Sequence, residues 1–245
     1  MRLPIRLRRW ADFIEVPGAI EARRKRVPLN LFRFFRRIEK DYRIKTVLDI
    51  GANRGEYARW CAETFSDVVI HAFEPLKSCQ SQLDEKSEQY PNIKVHTVAL
   101  GNKEGSVEMF ENESNPSSSI LPMLDRHREI YPHTASETKT VVELTTLDKI
   151  ARTTSFKNPI FLKADVQGYE LEVLKGATSV LADCAVVVLE VMFEELYEGQ
   201  SDFRTMVNFM HELNFDFLEF ADESRSKETG ALIYADAAFV NRAYK

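Results

Sequence analysis

The sequence predicts an α/β protein built on a doubly wound, mostly parallel sheet. Two observations carry this prediction: a glycine-containing turn directly follows an apolar run, and further apolar runs alternate with helical segments along the chain. Such alternation is typical of right-handed β-α-β units, which bring ligands to the carboxyl edge of the sheet. We therefore expect functional residues where strands end.

The first predicted strand, Thr46 to Leu48, leads into an acidic turn with two glycines. The turn reads Asp49-Ile50-Gly51-Ala52-Asn53-Arg54-Gly55. Glycine lets the backbone approach a ligand closely, and a ribose-binding carboxylate is expected about 20 residues further on. Glu74 follows 19 residues after Gly55. The pair predicts a site for a nucleoside cofactor.

Details of the turn indicate which nucleoside is bound. A dinucleotide fingerprint has three glycines and holds a pyrophosphate, but here the middle glycine is missing and Asp49 would repel the phosphates. A carboxylate suits the amino group and sulfonium of S-adenosylmethionine, with Glu74 accepting hydrogen bonds from the ribose hydroxyls. For the glycine motif alone, an ordinary turn with an acidic cap remains an alternative.

Two more strands follow the turn, at residues 68–73 and 93–98, with a helix at 76–89 between them. The first ends at Glu74 and Pro75, and the second leads to Ala99-Leu100-Gly101. Parallel strands place their carboxyl ends at one edge, so these residues are expected beside the glycine turn.

A second motif lies downstream of a strand at residues 159–164. It reads Asp165-Val166-Gln167-Gly168-Tyr169-Glu170 and precedes a short helix at 171–175. Residues 185–189 form a fifth predicted strand that ends at Glu190. Because Asp165 is expected across the topological switch from Gly51, we predict one cleft with Asp165, Glu170 and Glu190 at its mouth.

These motifs together resemble the FkbM-type methyltransferase family, over about residues 46 to 240. The matching segments are 47–55 (VLDIGANRG), 73–75 (FEP), 99–101 (ALG), 146–148 (TLD), 162–170 (LKADVQGYE) and 173–177 (VLKGA). Ala164 departs from the family pattern, which usually has a larger aliphatic residue before the aspartate.

The resemblance implies a class I, Rossmann-like methyltransferase fold, with a seven-stranded sheet whose last strand is antiparallel. It implies S-adenosyl-L-methionine as cofactor and O-methylation of a hydroxyl on a sugar, glycan or secondary metabolite. The predicted cofactor-binding residues are Asp49, Gly51, Ala52, Asn53, Gly55, Glu74, Pro75, Ala99 and Leu100.

A hydroxyl is a poor nucleophile, so we expect a carboxylate base. Asp165 is the first candidate and Glu170, one helical turn further on, is the second. Each has a structural alternative: Asp165 as a helix N-cap, and Glu170 as a first-turn carboxylate. Asp165 and Glu190 could also ligate Mg²⁺, but nothing in the spacing requires it and no histidines pair at helical spacing. We predict no metal.

Residues 105–147 are predicted to be an insertion within this domain. Residues 106–110 and 139–144 alternate like antiparallel strands, with a loop at 112–136 between them. The segment Asn115-Pro116-Ser117-Ser118-Ser119 is either part of the acceptor pocket, or a lid, or a solvated loop. The residues that follow could bind an anionic acceptor: Arg126, His127, Arg128, Tyr131 and His133.

The C-terminal part completes the predicted methyltransferase domain, residues 46–245. A helix is predicted at 202–213, followed by a hairpin of strands 215–220 and 231–240 around a polar turn at 222–230. This hairpin matches the antiparallel end of the sheet that the family resemblance implies.

Residues 1–45 form a basic N-terminal arm with a net charge of +9, whereas the remaining 200 residues carry −14. Two segments are predicted, Ile5 to Val16 and Leu29 to Tyr42. The second has apolar residues at helical spacing with basic ones among them. Two interpretations stay open: the helix packs on the sheet and shields the cofactor crevice, or it contacts an anionic membrane surface.

The composition is that of a globular protein, with 245 residues of which 44% are hydrophobic. Cys61, Cys79 and Cys184 fit neither a disulfide framework nor metal spacing, so we expect them buried in a reducing cytoplasm. No apolar run is long enough for a membrane span, and no signal peptide is apparent.

Three function classes remain open at this stage. An O-methyltransferase with a hydroxylated small-molecule or glycan acceptor leads. An RNA methyltransferase would use the basic arm, but the acidic body argues against nucleic acid. A catalytically silent protein that binds S-adenosylmethionine is the third. The sequence gives no oligomeric state.

Overall fold

The structure is a computed structural model that describes residues 16–112, 117–134 and 137–244, without the side chain of His133. Its strands are β1 Thr46–Ile50, β2 Val69–Phe73, β3 Ile93–His96, β4 Ala99–Leu100, β5 Gly105–Glu111, β6 Thr138–Thr145, β7 Ile160–Ala164, β8 Cys184–Met192, β9 Phe215–Arg225 and β10 Leu232–Asn241. The helices are α1 Ala19–Lys25, α2 Leu29–Tyr42, α3 Glu56–Thr64, α4 Lys77–Gln89, α5 Asp125–Ile130, α6 Leu147–Ala151, α7 Glu170–Lys175, α8 Thr178–Leu181 and α9 Phe203–Glu212. Short 3₁₀ turns cover Pro132–Thr134 and Arg242–Tyr244.

Seven strands form the main sheet in the order β3-β2-β1-β7-β8-β10-β9. The pairs from β3 to β8 are parallel, and β10 runs antiparallel to both of its neighbours. Every residue of β1, β7 and β8 is buried, because helices cover both faces of the sheet. The predicted seven-stranded sheet with an antiparallel last strand is confirmed.

The predicted insertion forms a second sheet of three strands in the order β4-β6-β5. β5 and β6 are antiparallel, as their alternating polar and apolar residues predict, and β4 joins β6 in parallel. The stretch predicted as a continuous loop contains α5 and a 3₁₀ turn. Elements of six and three residues are too short to produce a helical period in the sequence.

Two strands at the antiparallel end of the main sheet are longer than predicted, and both differences bear on the site. β8 continues to Met192, so Glu190 lies within the strand rather than at its end. β9 continues to Arg225, so Asp222 lies in a strand rather than in the polar turn. Pairing with β10 causes both extensions, since Asp236 is opposite Glu190 on one side and Asp222 on the other. In contrast, the strand predicted at 93–98 ends at His96.

The apolar face of α2 is part of the main hydrophobic core. Phe35 is fully buried, and its ring lies 5.3 Å from that of Tyr57, 5.5 Å from that of Phe65 and 6.2 Å from that of Phe161, measured between centroids. On the polar side, Arg37 forms an ion pair with Glu219. Packing on the sheet, the first interpretation of this helix, is confirmed.

In the part of the arm that the structure describes, residues 16–45, shielding of the cofactor crevice is not seen. Among the described residues, none from the arm lines the cleft that begins at the glycine turn. The predicted segment from Ile5 to Val16 lies outside the described residues except for Val16. A short helix that was not predicted, α1, follows Gly18.

The three cysteines are free and buried, as expected. No helix within the described ranges combines the length and hydropathy that a bilayer-spanning segment requires.

We expect Phe35→Ala to destabilise the protein by about 3 to 5 kcal/mol, because it removes a fully buried ring from an aromatic cluster and leaves a cavity. Denaturant unfolding measures the change. Arg36→Ala, on the exposed face of the same helix, serves as the control and is expected to stay within about 0.5 kcal/mol of the parent. A Phe35→Ala protein as stable as the control would mean that α2 is not part of the core.

Candidate active site

The glycine turn after β1 is held tightly between its neighbours. The backbone N–H groups of Gly51 and Ala52 both donate to the carbonyl oxygen of Phe73, each at 3.0 Å. Gly51 has a φ of +78°, and a Cβ built there would lie 1.9 Å from the carbonyl oxygen of Asp165. No residue with a side chain fits this position, so the turn, the end of β2 and the end of β7 meet only because Gly51 is glycine.

Glu74 is a buried carboxyl group at the end of β2, with 5% of its surface exposed. It accepts hydrogen bonds from the backbone N–H groups of Asn53 and Leu76, both at 2.9 Å. Burial raises the pKa of Glu74 to about 7 and outweighs these two hydrogen bonds, which lower it. The two amides fix its orientation at the cleft and leave lone pairs for a ligand.

A first cleft opens at these residues, with about 1040 Å³ of space not filled by protein, part of it open to solvent. Such a volume suits a nucleoside-sized ligand. The predicted site residues that line it are Gly51, Asn53, Glu74, Pro75, Ala99, Leu100 and Asp165.

Asp49, Ala52 and Gly55 were predicted to bind the cofactor but do not line this cleft in the described structure. Ala52 and Gly55 are buried in the turn itself, where the Gly55 N–H donates to the Ala52 carbonyl. Asp49 lies behind the cleft wall with no exposed surface, because it is a residue of the central strand. The predicted direct grip of Asp49 on the ligand is therefore corrected.

Both oxygens of Asp49 are buried without a hydrogen-bond partner among the described residues. Burial raises the pKa of this carboxyl to about 6, against the opposing effect of Lys163, whose Nζ is 3.9 Å away. A buried carboxylate without hydrogen bonds is costly, and a cationic ligand in front of Gly51 would offset part of that cost. The residues of this cleft thus fit an amine-bearing nucleoside.

The insertion contributes a wall of the first cleft that sequence reasoning did not assign. Met109, Asn112, Ser118 and Ile120 line it. Ser118 belongs to the serine segment, which was interpreted as a lid, a pocket wall or a solvated loop. Its neighbour Ser117 lines a second cleft, described below, so this segment borders both clefts.

Lys163 is a buried cation in β7, with 5% of its surface exposed. Its Nζ lies 3.0 Å from Oδ2 of Asp165 and 5.0 Å from the centre of the Tyr57 ring. Burial alone lowers the pKa of a lysine, but the carboxylates of Asp165, Asp49 and Asp236 outweigh it, so the pKa is raised. Lys163 therefore stays charged and fixes Asp165.

Asp165 lines both clefts and so lies where they join. Its Oδ2 accepts from Lys163, and its Oδ1 accepts from Nε2 of Gln167 at 2.8 Å. These contacts differ from the N-cap alternative, in which the carboxylate would bond to the amides of Gly168 or Tyr169. The side chain is oriented as an acceptor at the junction.

Glu170, the second candidate base, does not line either cleft in the described structure. With 3% of its surface exposed, it turns back so that Oε1 accepts from the N–H groups of Val166, at 2.9 Å, and Gly168, at 3.2 Å. Burial raises its pKa to about 7. The structure corrects this candidate base: Glu170 holds the loop that carries Asp165, and as the first residue of α7 it fits the first-turn carboxylate of its structural alternative.

The second cleft has about 980 Å³ of space not filled by protein, part of it open to solvent, and is lined largely by polar groups. Its carboxyl groups are Asp165, Glu190, Asp222 and Asp236. Burial raises the pKa of Glu190, and that of Asp236 to about 7. Tyr131, Gln167 and Tyr234 also face it.

Gln167 connects the carboxyl groups of this cleft. Its Nε2 donates to Asp165 and, at 2.7 Å, to Oε2 of Glu190, while its Oε1 accepts from the hydroxyl of Tyr197 at 2.6 Å. Gln167 belongs to the second sequence motif, but the sequence predicted no role for it. Asp222 and Asp236 were missed, because residues 231–240 form an apolar run with a single acidic residue and show no alternating pattern that would place Asp236 on one face of its strand.

The residues predicted to bind an anion do not form one site. Arg126 forms hydrogen bonds with Glu129 and Glu194, and Arg128 forms them with Asp125 and Glu137. Both arginines are therefore engaged by carboxylates of the protein itself.

His127 and Tyr131, from the same prediction, do line the second cleft. The His127 ring lies within hydrogen-bond distance of the hydroxyls of Thr134 and Tyr197, both at 3.2 Å. The side chain of His133 lies outside the described part of the chain. Among the residues described, no group of three or more His, Cys, Asp and Glu side chains could hold a metal ion.

Comparison with known proteins gives a consistent result. The model of the family described as the methyltransferase FkbM domain matches residues 49–217. The 2-O-methyltransferase NoeI of Sinorhizobium fredii is 23% identical over 212 residues, which are 84% of this chain and 83% of that protein. The hexuronic acid methyltransferase AglP of Haloferax volcanii is 26% identical over 144 residues, 58% of this chain and 54% of that one.

Two solved structures share the fold. Methyltransferase FkbM from Methylobacillus flagellatus superposes with a TM-score of 0.50 at 14% identity, covering 80% of this chain and 43% of the other, so this chain spans less than half of its length. Magnesium protoporphyrin IX methyltransferase from Synechocystis, solved with its bound methyl donor, has a TM-score of 0.50 at 8% identity, covering 86% and 76%. At these identities the similarity is one of fold.

We expect Gly51→Ala to destabilise the protein by more than about 3 kcal/mol, because the new methyl group would overlap the Asp165 carbonyl and force β1 and β7 apart. Gly230→Ala is a matched control: its φ is also positive, at +74°, but nothing lies within 4 Å of the added carbon. That control should lose only about 1 to 2 kcal/mol of backbone strain. Equal losses in denaturant unfolding would contradict the close approach at Gly51.

Proposed function

This chain belongs to the FkbM methyltransferase family, and from that premise we propose that it transfers the methyl group of S-adenosylmethionine to a hydroxyl of a sugar or glycan. The chain is an S-adenosylmethionine-dependent methyltransferase; the acceptor and the residue roles are what we propose. One observation carries the proposal: Asp165 lies at the junction of a nucleoside-sized cleft and a second, polar cleft.

The first cleft is the proposed donor site. S-adenosylmethionine supplies an electrophilic methyl group whose sulfur departs as a neutral thioether. Glu74 would accept hydrogen bonds from the ribose hydroxyls, and Gly51 and Asn53 would let the backbone approach the ligand. Pro75, Ala99 and Leu100 line the same cleft and would exclude water from the nucleoside.

Asp49 acts at a distance in this proposal. It does not reach the cleft surface, but its charge, together with that of Asp165, gives the wall behind Gly51 a negative potential. A positively charged donor is therefore favoured over its uncharged thioether product.

The second cleft is the proposed acceptor site, with Asp165 as base. As the acceptor oxygen bonds to the methyl carbon, its proton passes to a carboxylate oxygen of Asp165. Lys163 and Gln167 hold that carboxylate in place, so it needs no rearrangement as the reaction proceeds. The remaining rate enhancement would come from holding the acceptor oxygen and the methyl group in line, because no leaving group needs protonation.

Two observations support a sugar hydroxyl as the acceptor. The relatives are described as a 2-O-methyltransferase and a hexuronic acid methyltransferase. In addition, the second cleft offers carboxyl groups and two tyrosines, which suit hydrogen bonding to hydroxyls and packing against a sugar ring. The same carboxyl groups would repel the phosphates of a nucleic acid.

We expect Asp165→Asn to lower turnover by about 10² to 10⁴-fold, since it removes the base, while the affinity for S-adenosylhomocysteine stays within a few fold. Turnover is measured with radiolabelled S-adenosylmethionine and saccharides extracted from the source cells, and affinity by calorimetry. Asp84→Asn, on α4, is the control and should match the parent. Unchanged turnover in Asp165→Asn would move the base elsewhere, with Asp236 the next candidate.

The affinity for S-adenosylhomocysteine is expected to rise about tenfold from pH 6 to pH 8. The pKa of Glu74 is raised to about 7, so the carboxylate that accepts from the ribose is a minor form at pH 6 and the major form at pH 8. In Glu74→Gln the affinity should be weaker and should lose this rise. Titration calorimetry across that range tests it, and an identical pH profile in the variant would rule Glu74 out as the titrating group.

A further inference from the structure

The second cleft carries a row of carboxyl groups that comes from three neighbouring strands. In the register of the sheet, Asp236 on β10 is opposite Glu190 on β8 and also opposite Asp222 on β9. Residues directly opposite one another in a sheet point to the same face. All three therefore lie side by side along the cleft wall, and Asp165 continues the row at the end of β7.

These groups have hydrogen-bonding capacity that the protein itself does not use. Glu190 is only 6% exposed, and although its Oε2 accepts from Gln167, its other oxygen has no hydrogen-bond partner in the described structure. Asp236 is half-buried and lines the cleft, and no oxygen of Glu190 or Asp236 is among the buried atoms left without a partner in the described part of the chain. These oxygens therefore face the open space of the cleft, where a ligand rich in hydrogen-bond donors is the expected occupant.

Among the described residues, no lysine or arginine beside this row is free to pair with an anionic ligand. Lys163 does not line the second cleft, and its charge is already shared between Asp165 and Asp49. No lysine or arginine among the described residues lines this cleft, and Arg126 and Arg128 are engaged by carboxylates outside it. A carboxylate that entered would find hydroxyl donors such as Tyr131 and Tyr234 but no lysine or arginine, and the His127 ring is already placed between the hydroxyls of Thr134 and Tyr197. It would lie beside the carboxyl groups of the row without a countercharge.

We propose that the sugar ring that enters the second cleft is neutral or carries an amine, and that Glu190 and Asp236 select it by accepting hydrogen bonds from its hydroxyl or amino groups while excluding uronic acids. This inference rests on the proposed function and narrows it to one charge class of acceptor. Exclusion follows from like charges and from a carboxylate left without a countercharge, which is how sites reject a close analogue of their substrate.

The test uses radiolabelled S-adenosylmethionine and saccharides extracted from the source cells, separated by ion exchange into neutral, cationic and anionic fractions. A portion of the anionic fraction is carboxyl-reduced, which converts uronic acids into neutral hexoses of the same configuration. We expect label in the neutral or cationic fraction, and at least tenfold less, per sugar, in the anionic one.

Variants connect the selection to the two carboxyl groups. Glu190→Gln and Asp236→Asn preserve side-chain size, and we expect each to raise the ratio of anionic to neutral labelling at least fivefold, mainly through the acceptor KM. S-adenosylhomocysteine affinity, measured by calorimetry, should stay within about threefold of the parent and shows that each variant is folded. Asp84→Asn, on the surface of α4, should leave the ratio unchanged.

The outcomes separate the two proposals. Label that enters mainly the anionic fraction and is lost after carboxyl reduction would overturn the charge selection and leave sugar methylation intact. Ratios unchanged in both variants would also overturn it. A protein that binds S-adenosylhomocysteine but labels no saccharide fraction would contradict sugar methylation itself, and the charge selection with it.

Discussion

The arrangement of the site depends on the ion pairs between the buried Lys163 and the carboxylates around it. A charge taken out of water in the middle of a sheet is costly unless carboxylates surround it. Lys163 has Asp49 on the neighbouring strand, Asp165 at the end of its own strand and Asp236 within electrostatic reach. Replacing either the lysine or its carboxylate partners with neutral residues would leave an unpaired charge inside the core.

This group also explains why two clefts meet at one residue. Asp165 follows β7 by one residue, so the contact to Lys163 fixes its carboxylate where the sheet ends. The loop beyond it is shaped by two further side chains. Gln167 has a φ of +56° and directs its side-chain amide toward Asp165 and Glu190. Glu170 accepts hydrogen bonds from two backbone N–H groups of the loop. The loop thus joins the walls of the two clefts.

Much of the donor side could be predicted from the sequence because its determinants are local. The turn after β1, Glu74 after β2 and Asp165 after β7 each follow directly from a strand and a motif of a few residues. Parallel strands then bring their ends together. The position of Asp49 was not predictable in the same way, because its distance from the cleft depends on how deeply β1 is buried.

The acceptor side was less predictable because it depends on pairing between distant segments. Asp222 seemed to begin a polar turn and Asp236 was one acidic residue in an apolar run; only the pairing of β10 with β8 and β9 aligns both with Glu190. Lys163 was hidden in a strand that otherwise reads as apolar. Its partner Asp165 lies only two residues further along the chain, but Asp49 on β1 is identified as a neighbour only once the strand order is known.

The insertion of β10 between β8 and β9 has a consequence for how the protein is made. Until residue 241 has left the ribosome, neither β8 nor β9 has the strand that joins it to the other, and Glu190 lacks its neighbour Asp236. The donor wall, in contrast, is encoded before residue 171. During synthesis, all residues of the first cleft are therefore present well before those of the second cleft, whose wall is completed last.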